Sequence, residues 1–247
     1  SRLDKMVFCP DTILVIGAGH GLGLGIVKEC RSRYPNAKIF ATYRRREKAK
    51  DLIDFNENSF QVDPLNEDEV RAFCETLTNV DLTINCVGML QNREGQGPEK
   101  SLRDIDVDFM TEVFQVNTFV TPLWAKYLKK KLSRETQSIF ATLSAMVGSI
   151  EENEIGGWYS YRASKTALNM YLKTIAIEFS RSHLKTSVVA IHPGTTETEL
   201  SKDFLKGIKH KVWTPEGAAV NILNTLAKCP GEGTGLFKNW DGRTIAF

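Results

Sequence analysis

Tyr161-Arg162-Ala163-Ser164-Lys165 places a phenol and an ammonium group four residues apart. On a helix that spacing stacks the two side chains on one face, one turn apart. A free phenol, with a pKa of about 10, neither gives nor takes a proton readily near neutrality. A fixed positive charge beside it favours phenolate and brings the group into range for general acid–base work. Alone, a Tyr-x-x-x-Lys pair is more often a surface pair than a catalytic one. Its meaning depends on what else the chain carries.

A second constellation supplies a partner chemistry. Gly17-Ala18-Gly19-His20-Gly21-Leu22-Gly23 follows an apolar β-branched run, Thr12 to Ile16, and opens a helical pattern at Leu22. Glycines between a strand and a helix allow a tight turn and let the backbone approach a pyrophosphate at the helix N-terminus. The spacing is Gly-x-x-x-Gly-x-Gly rather than the commoner Gly-x-Gly-x-x-Gly, and its context marks a dinucleotide loop rather than a flexible turn. The next strand ends Thr42-Tyr43-Arg44-Arg45-Arg46, with no Asp or Glu to hold a ribose 2′-hydroxyl. Arg44 can pair with a 2′-phosphate, so the expected cofactor is NADP(H). Basic residues at a helix start oppose the helix dipole, a local cost that phosphate binding would offset.

The elements that must position these groups alternate along the chain. Strands are expected at Thr12–Ile16, Lys38–Thr42, Ser59–Val62, Val80–Asn85, Ser138–Leu143, Thr186–Ile191 and Gly235–Asn239. Between them lie helical patterns: Leu22–Tyr34, Arg45 to about Phe55, one after Asn66, a long one from about Leu102 to Leu132, Tyr159–Arg181, and Pro215–Ala227. Such alternation predicts an α/β fold, a doubly wound parallel sheet of about seven strands with helices on both faces. No repeat, low-complexity segment or linker divides residues 1–247, so one domain is expected.

Bulk properties exclude several other classes. The chain is 42% hydrophobic and 25% charged with a net charge of +2, and its basic residues are scattered, so no nucleic-acid partner is expected. No apolar stretch reaches the roughly 20 residues that span a bilayer. Ser1-Arg2-Leu3-Asp4-Lys5 lacks signal-peptide organisation, and the odd set Cys9, Cys30, Cys74, Cys86 and Cys229 reads as reduced thiols. A cytoplasmic protein without a membrane partner is the expectation. Four dispersed histidines offer no metal-ligand cluster, and no metal is expected.

Taken in order, these motifs resemble the short-chain dehydrogenase/reductase family over nearly the whole chain. Gly17, Gly21 and Gly23 match its glycine motif, with Ile16 where a threonine is usual and His20 where NADP-dependent members often carry Arg or Lys. Asp63 matches the acidic residue that contacts the adenine amine. Asn85-Cys86-Val87-Gly88 is similar to the Asn-Asn-Ala-Gly motif, with Cys86 and Val87 as departures that bear on support for the long helix. Asn117 stands where the family has its structural and catalytic asparagine, Ser144 ends the fifth strand, and Tyr161 and Lys165 follow. Pro193-Gly194, with Thr198 beyond, is similar to the segment lining the nicotinamide. The run Gly156 to Lys165 and His192-Pro193-Gly194 resemble the C-factor and sniffer-like carbonyl reductase branch.

The resemblance implies a single Rossmann-type domain and an NADP(H)-dependent oxidoreductase acting on a small carbonyl or alcohol. Tyr161 would be the general acid/base, Lys165 would hold the nicotinamide ribose and depress the phenol pKa, and Ser144 would donate to the substrate carbonyl. Asn117 would hold a water linking Lys165 to solvent. The implied cofactor contacts are Gly17, Gly19, His20, Gly21, Leu22, Gly23, Arg44, Asp63, Asn85, Gly88, Tyr161, Lys165, Pro193, Gly194 and Thr198. Leu200, Phe204, Leu205, Ile208 and Trp213 fall in a segment that often forms a lid, and Met89, Leu90, Met146, Val147 and Trp158 are expected to complete an apolar pocket. His192 reads as a strand-end residue and Tyr159 as one that lines the pocket or packs. Relatives often dimerise through the helices of Asn117 and Tyr161, so a homodimer is expected beside the monomer. An NADP(H)-binding signalling or sensor protein with little turnover is the alternative.

Overall fold

The computed structural model describes residues 7–247. Seven strands form one sheet in the order β3-β2-β1-β4-β5-β6-β7, every pairing parallel. They are β1 (Thr12–Ile16), β2 (Lys38–Tyr43), β3 (Ser59–Gln61), β4 (Leu82–Asn85), β5 (Ser138–Leu143), β6 (Thr186–His192) and β7 (Leu236–Asn239). Alternation along each strand sends side chains to two apolar layers. Ile13, Val15, Ile139 and Ala141 face the layer containing Ile26 of α1 (Gly21–Arg33) and Ile222 of α7 (Pro215–Lys228). Leu14, Ile16 and Phe140 face the other. That layer holds Val70 of α3 (Glu67–Thr76) and Leu168 of α6 (Tyr159–Phe179). Strands buried on both faces explain why β5 and β6 read as almost unbroken apolar runs.

The sheet order reverses between β1 and β4, where a ligand crevice forms at the carboxyl ends of the strands. Two helices expected as continuous are broken around that crevice. The segment from Arg45 to Phe55 splits into a 3₁₀ turn, Arg46–Lys48, and α2, Lys50–Phe55. Ala49 breaks it because it is fully buried beneath the glycine loop, where a Cβ at Gly19 would lie 3.5 Å from its own.

The long pattern from Leu102 to Leu132 is likewise interrupted. Asp106 caps α4 (Val107–Phe114) by accepting from the Phe109 amide at 2.8 Å. A π-helical turn, Gln115–Phe119, then leads into α5, Val120–Leu128. Pro122 lies just inside α5 and has no amide to return to residue 118, which explains a wider turn immediately before it. Asn117 sits within that turn. Among the described residues no helix is long and apolar enough to cross a membrane.

Candidate active site

At the nucleotide end, helix α1 starts without a protein cap. Its N-cap His20 makes no side-chain capping bond, and its first turn carries no acidic residue. The first-turn amides are therefore free to meet an anion. Backbone contact makes the approach possible: a Cβ on Gly23 would fall 2.3 Å from the Gly17 carbonyl oxygen, and Gly21 has φ +59°. Thr42 Oγ1 accepts from the Gly17 amide at 3.2 Å, supplying the brace that Ile16 lacks. This cradle fits a pyrophosphate. Arg44 is exposed at the end of β2, beside Asp63 in an open groove of ≈ 920 Å³ that runs down the edge of β3. Asp63 Oδ1 accepts from the Leu65 amide at 3.0 Å, which fixes its own turn.

Across the switch point, Asn85 ends β4. Its amide donates to Thr121 Oγ1 at 2.9 Å, its oxygen accepts from Val87 N at 3.0 Å, and Thr121 shares a 2.8 Å hydrogen bond with Thr142. Asn85 and Thr121 thus tie β4 to α5 despite Cys86 and Val87. Asn117 is 3% exposed and fully committed: its Oδ1 accepts from Met89 N at 2.7 Å, while Nδ2 donates to Met89 O and Ser164 Oγ at 2.9 and 3.1 Å. Its side chain is a brace between the β4 loop and α6. Gly88 lies between them, where a Cβ would stand 3.5 Å from Asn117 Oδ1 and 3.6 Å from Lys165 Nζ.

Tyr161 and Lys165 share one face of α6, with the ammonium 5.8 Å from the phenol ring centre. Lys165 is 4% exposed and donates to the Leu143 carbonyl at 3.1 Å. Burial dominates the electrostatics of the pair. Burial pushes the Tyr161 phenol up to about 12 and the Lys165 ammonium down to about 8. Desolvation disfavours both charged forms and outweighs their mutual attraction across that gap. The phenol therefore keeps its proton near neutrality and gives it up less readily than a free tyrosine would.

Ser144 also differs from expectation: its hydroxyl donates to Asn169 Oδ1 at 2.7 Å, because a carboxamide oxygen can only accept. Asn169 was missed in the sequence reading. Its signal was the continuation of the Tyr161–Lys165 spacing by one more helical turn.

The approach to α6 is strained. Gly156, Gly157 and Trp158 have φ of +72°, +68° and +53°. For Trp158 that region costs roughly 1–2 kcal/mol, an outlier of the kind that clusters at functional sites. Its amide donates to the Glu99 carbonyl at 2.6 Å, and its ring meets those of Tyr161 and Phe204 edge-on at 5.9 and 5.8 Å. Glu99, a second residue missed in the sequence, is buried against Ser160.

Other expected residues lie as follows. Gly194 (φ +79°) packs against Trp240 and Trp213, directly after Pro193, and Thr198 lies over Gly21. The segment beyond Thr198 is tied at its base by Trp213 N to Thr195 O at 2.8 Å, and Lys48 holds its Glu199 at 2.7 Å. His192 ends β6 with a buried Nδ1 that has no hydrogen-bond partner among the described residues. Burial, then the Lys165 charge, brings its pKa down to about 4. Of the apolar set, Met89 packs with Phe109 and Val113, Met146 joins the main core, and Val147 and Tyr159 line a separate groove of ≈ 610 Å³. Among the described residues the ring set against Tyr161 is Trp158, and Phe204 packs on the Trp158 ring behind it.

Known proteins are similar to this chain in sequence and in fold. A dehydrogenase of Rhodococcus sp. (strain AD45) that acts on 1-hydroxy-2-glutathionyl-2-methyl-3-butene is 27% identical over 236 residues, 94% of this chain and 97% of that protein. The carbonyl reductase Sniffer of D. melanogaster superposes with a TM-score of 0.83 at 24% identity, covering 96% of this chain and 99% of its own. An NADPH-bound carbonyl reductase from chicken fatty liver gives 0.83 at 21%, covering 98% and 97%. The family model for short chain dehydrogenases matches residues 11–209, from the first strand to beyond Thr198 and Phe204. By that match, and with its parallel sheet and switch-point crevice, the chain belongs to the short-chain dehydrogenase/reductase family of oxidoreductases.

Proposed function

We propose that this protein is an NADPH-dependent carbonyl reductase, with Tyr161 as the acid that protonates the carbonyl oxygen. The observation that carries this reading is geometric: the half-buried Tyr161 phenol has the Lys165 ammonium 5.8 Å from its ring centre, and that ammonium is held by the Leu143 carbonyl at the carboxyl end of β5. When bound, the reduced dinucleotide supplies hydride to the carbonyl carbon. Gly17, Gly19, Gly21, Leu22 and Gly23 would cradle its pyrophosphate, with His20 at the rim and Arg44 facing the 2′-phosphate. Asp63, Asn85 and Gly88 would border the adenosine and ribose, and Pro193, Gly194 and Thr198 the nicotinamide.

As the C=O bond becomes C–H and O–H, Tyr161 gives up its proton and regains one from water. Lys165 stabilises the phenolate that forms, an interaction made only as charge develops. Ser144 needs only to rotate from Asn169 to donate to the same oxygen, and Asn117 holds the β4 loop against α6 while this happens. The edge-on rings of Trp158 and Phe204 favour an aromatic or otherwise flat carbonyl compound. The solved NADPH complex of a chicken carbonyl reductase with the same fold supports the cofactor.

A homodimer is part of the proposal. Phe119 on the π turn and Met170 on α6 are 44% and 67% exposed, on the helices through which the family resemblance places such an interface.

The test is NADPH oxidation over a panel of aldehydes, ketones and diketones. Tyr161→Phe should lower kcat by about 10³-fold while still binding NADPH, and equal rates in both proteins would overturn the reading. In the same assay Arg44→Ala should weaken NADPH far more than NADH, and equal losses would refute the NADP(H) preference.

A further inference from the structure

Glu99 is a carboxylate buried to 2% exposure in the loop between β4 and α4. Among the described residues no lysine or arginine lies within ion-pair distance of it. A buried, unpaired carboxylate is a costly group to keep, and the cost falls only where hydrogen bonds meet it. Here they all come from the first turn of α6. Oε1 accepts from the Ser160 amide at 3.1 Å, Oε2 accepts from the Ser160 hydroxyl, and the Glu99 carbonyl accepts from the Trp158 amide at 2.6 Å. Helix α6 has no side-chain cap from its own N-cap residue, Trp158, so these bonds stand in for one.

Position gives this brace its meaning. The residues it holds, Trp158 and Ser160, flank the entry to Tyr161, and the backbone there runs through three successive left-handed residues, the last of them non-glycine. Without a tether that segment would relax and the first turn of α6 would tilt. The Trp158 ring, set by the same tether, abuts the Tyr161 ring on one side and Phe204 on the other. A neutral serine or asparagine could cap the helix; a carboxylate reached from another loop also fixes where the helix starts relative to β4, which carries the far wall of the cleft.

We propose that Glu99 is a positioning residue for Tyr161, its carboxylate and carbonyl together setting the angle at which the phenol meets the substrate carbonyl. The inference rests on the reductase reading above. A cap with only a folding role would lower stability when removed and leave the turnover of each folded molecule unchanged. A positioning role lowers kcat at constant cofactor affinity and alters the proton-transfer step.

The experiment compares full-length wild type with Glu99→Ala, Glu99→Gln, Ser160→Ala and Tyr161→Phe. NADPH oxidation is followed with benzil as the probe, and rates are normalised to NADPH-binding sites. Glu99→Ala should lower kcat by about 10–100-fold, the cost of a misplaced reacting group, with NADPH affinity within about twofold. Glu99→Gln, which keeps an acceptor for the Ser160 amide, should stay within about threefold of wild type. Ser160→Ala, which loses only the hydroxyl and leaves the backbone bond, should fall about threefold to tenfold. In the reverse direction, the pH profile of alcohol oxidation by Glu99→Ala should shift from that of wild type, since a tilted first turn of α6 changes the surroundings of the phenol.

Wild-type kcat in Glu99→Ala, or in Ser160→Ala should the former not fold, would overturn the proposal, as would a Glu99→Gln protein as slow as Glu99→Ala. If Tyr161→Phe is inactive while the Glu99 and Ser160 variants run at wild-type rate, only this proposal falls. If wild type does not oxidise NADPH, or Tyr161→Phe matches it, the reductase reading falls and takes the proposal with it.

Discussion

At the nucleotide end of the cleft, Gly17, Gly21 and Gly23 act through absence: no side chain blocks the backbone amides that open α1. At the other end, Tyr161, Lys165, Ser144 and Asn169 act through side chains, three of them nearly or fully buried and each committed to a partner from another element or another turn. The first end spans seven consecutive residues. The second is assembled from β5, α6 and loops that approach from β4 and β6. Backbone recognition needs only a local conformation and tolerates variation around it, such as Ile16 replaced in its role by Thr42. A buried side-chain site depends on desolvation, which raises Tyr161 and lowers Lys165 in opposite directions and leaves function in tension with stability.

Replacing Lys165 would separate the two ends most sharply. Lys165→Met should lower kcat by about 10³-fold. It should also raise Tm at pH 7 by about 2–4 °C, because an ammonium held at about 8 is buried at a cost. In wild type the unfolded chain keeps that proton up to 10.5 while the native state releases it near 8, so this group makes stability rise with pH across that interval. Thermal melts from pH 7 to 10.5 on both proteins would check this, and a Tm that falls in the variant would show the ammonium to be stabilising.

His192 tests the same end in acid. The unfolded chain takes up its proton near 6.5 and the native state resists to about 4, so stability should fall by up to about 3 kcal/mol as pH drops through that range. His192→Gln should flatten this part of the denaturation curve, and an unchanged slope would place the acid sensitivity elsewhere. The smallest effect is expected at the backbone end. Gly23→Ala forces a Cβ to within 2.3 Å of the Gly17 carbonyl, and the loop must move by enough to cost about 1–3 kcal/mol in stability or NADPH affinity. Titration with NADPH alongside a melt would divide the two. Wild-type values for both would show that the loop is looser than its packing.

Much of this was legible in the residues themselves. The strand at Ser138–Leu143 and the start of α6 at Tyr159 fall where the sequence pattern puts them, since a strand apolar on both faces and a helical spacing of reactive groups are local signals. The long helix was read as continuous because its apolar period survives both the Asp106 cap and the π turn; Pro122 was the one local warning. Asn169 lay in plain view one turn beyond Lys165, but a lone asparagine on a helix carries no chemistry until Ser144 is seen against it. Glu99 had no local signal, because its partners lie about sixty residues away.

The sequence by itself determined the alternating architecture, the glycine loop and the pairing of Tyr161 with Lys165, because each depends on periodicity or on spacing along one element. Only the tertiary structure decided that burial raises the Tyr161 phenol and lowers the Lys165 ammonium, that Ser144 is spoken for by Asn169, and that Glu99 and Trp158 hold the first turn of α6. These depend on burial and on contacts between distant segments, and desolvation is a property of the surroundings rather than of the residue.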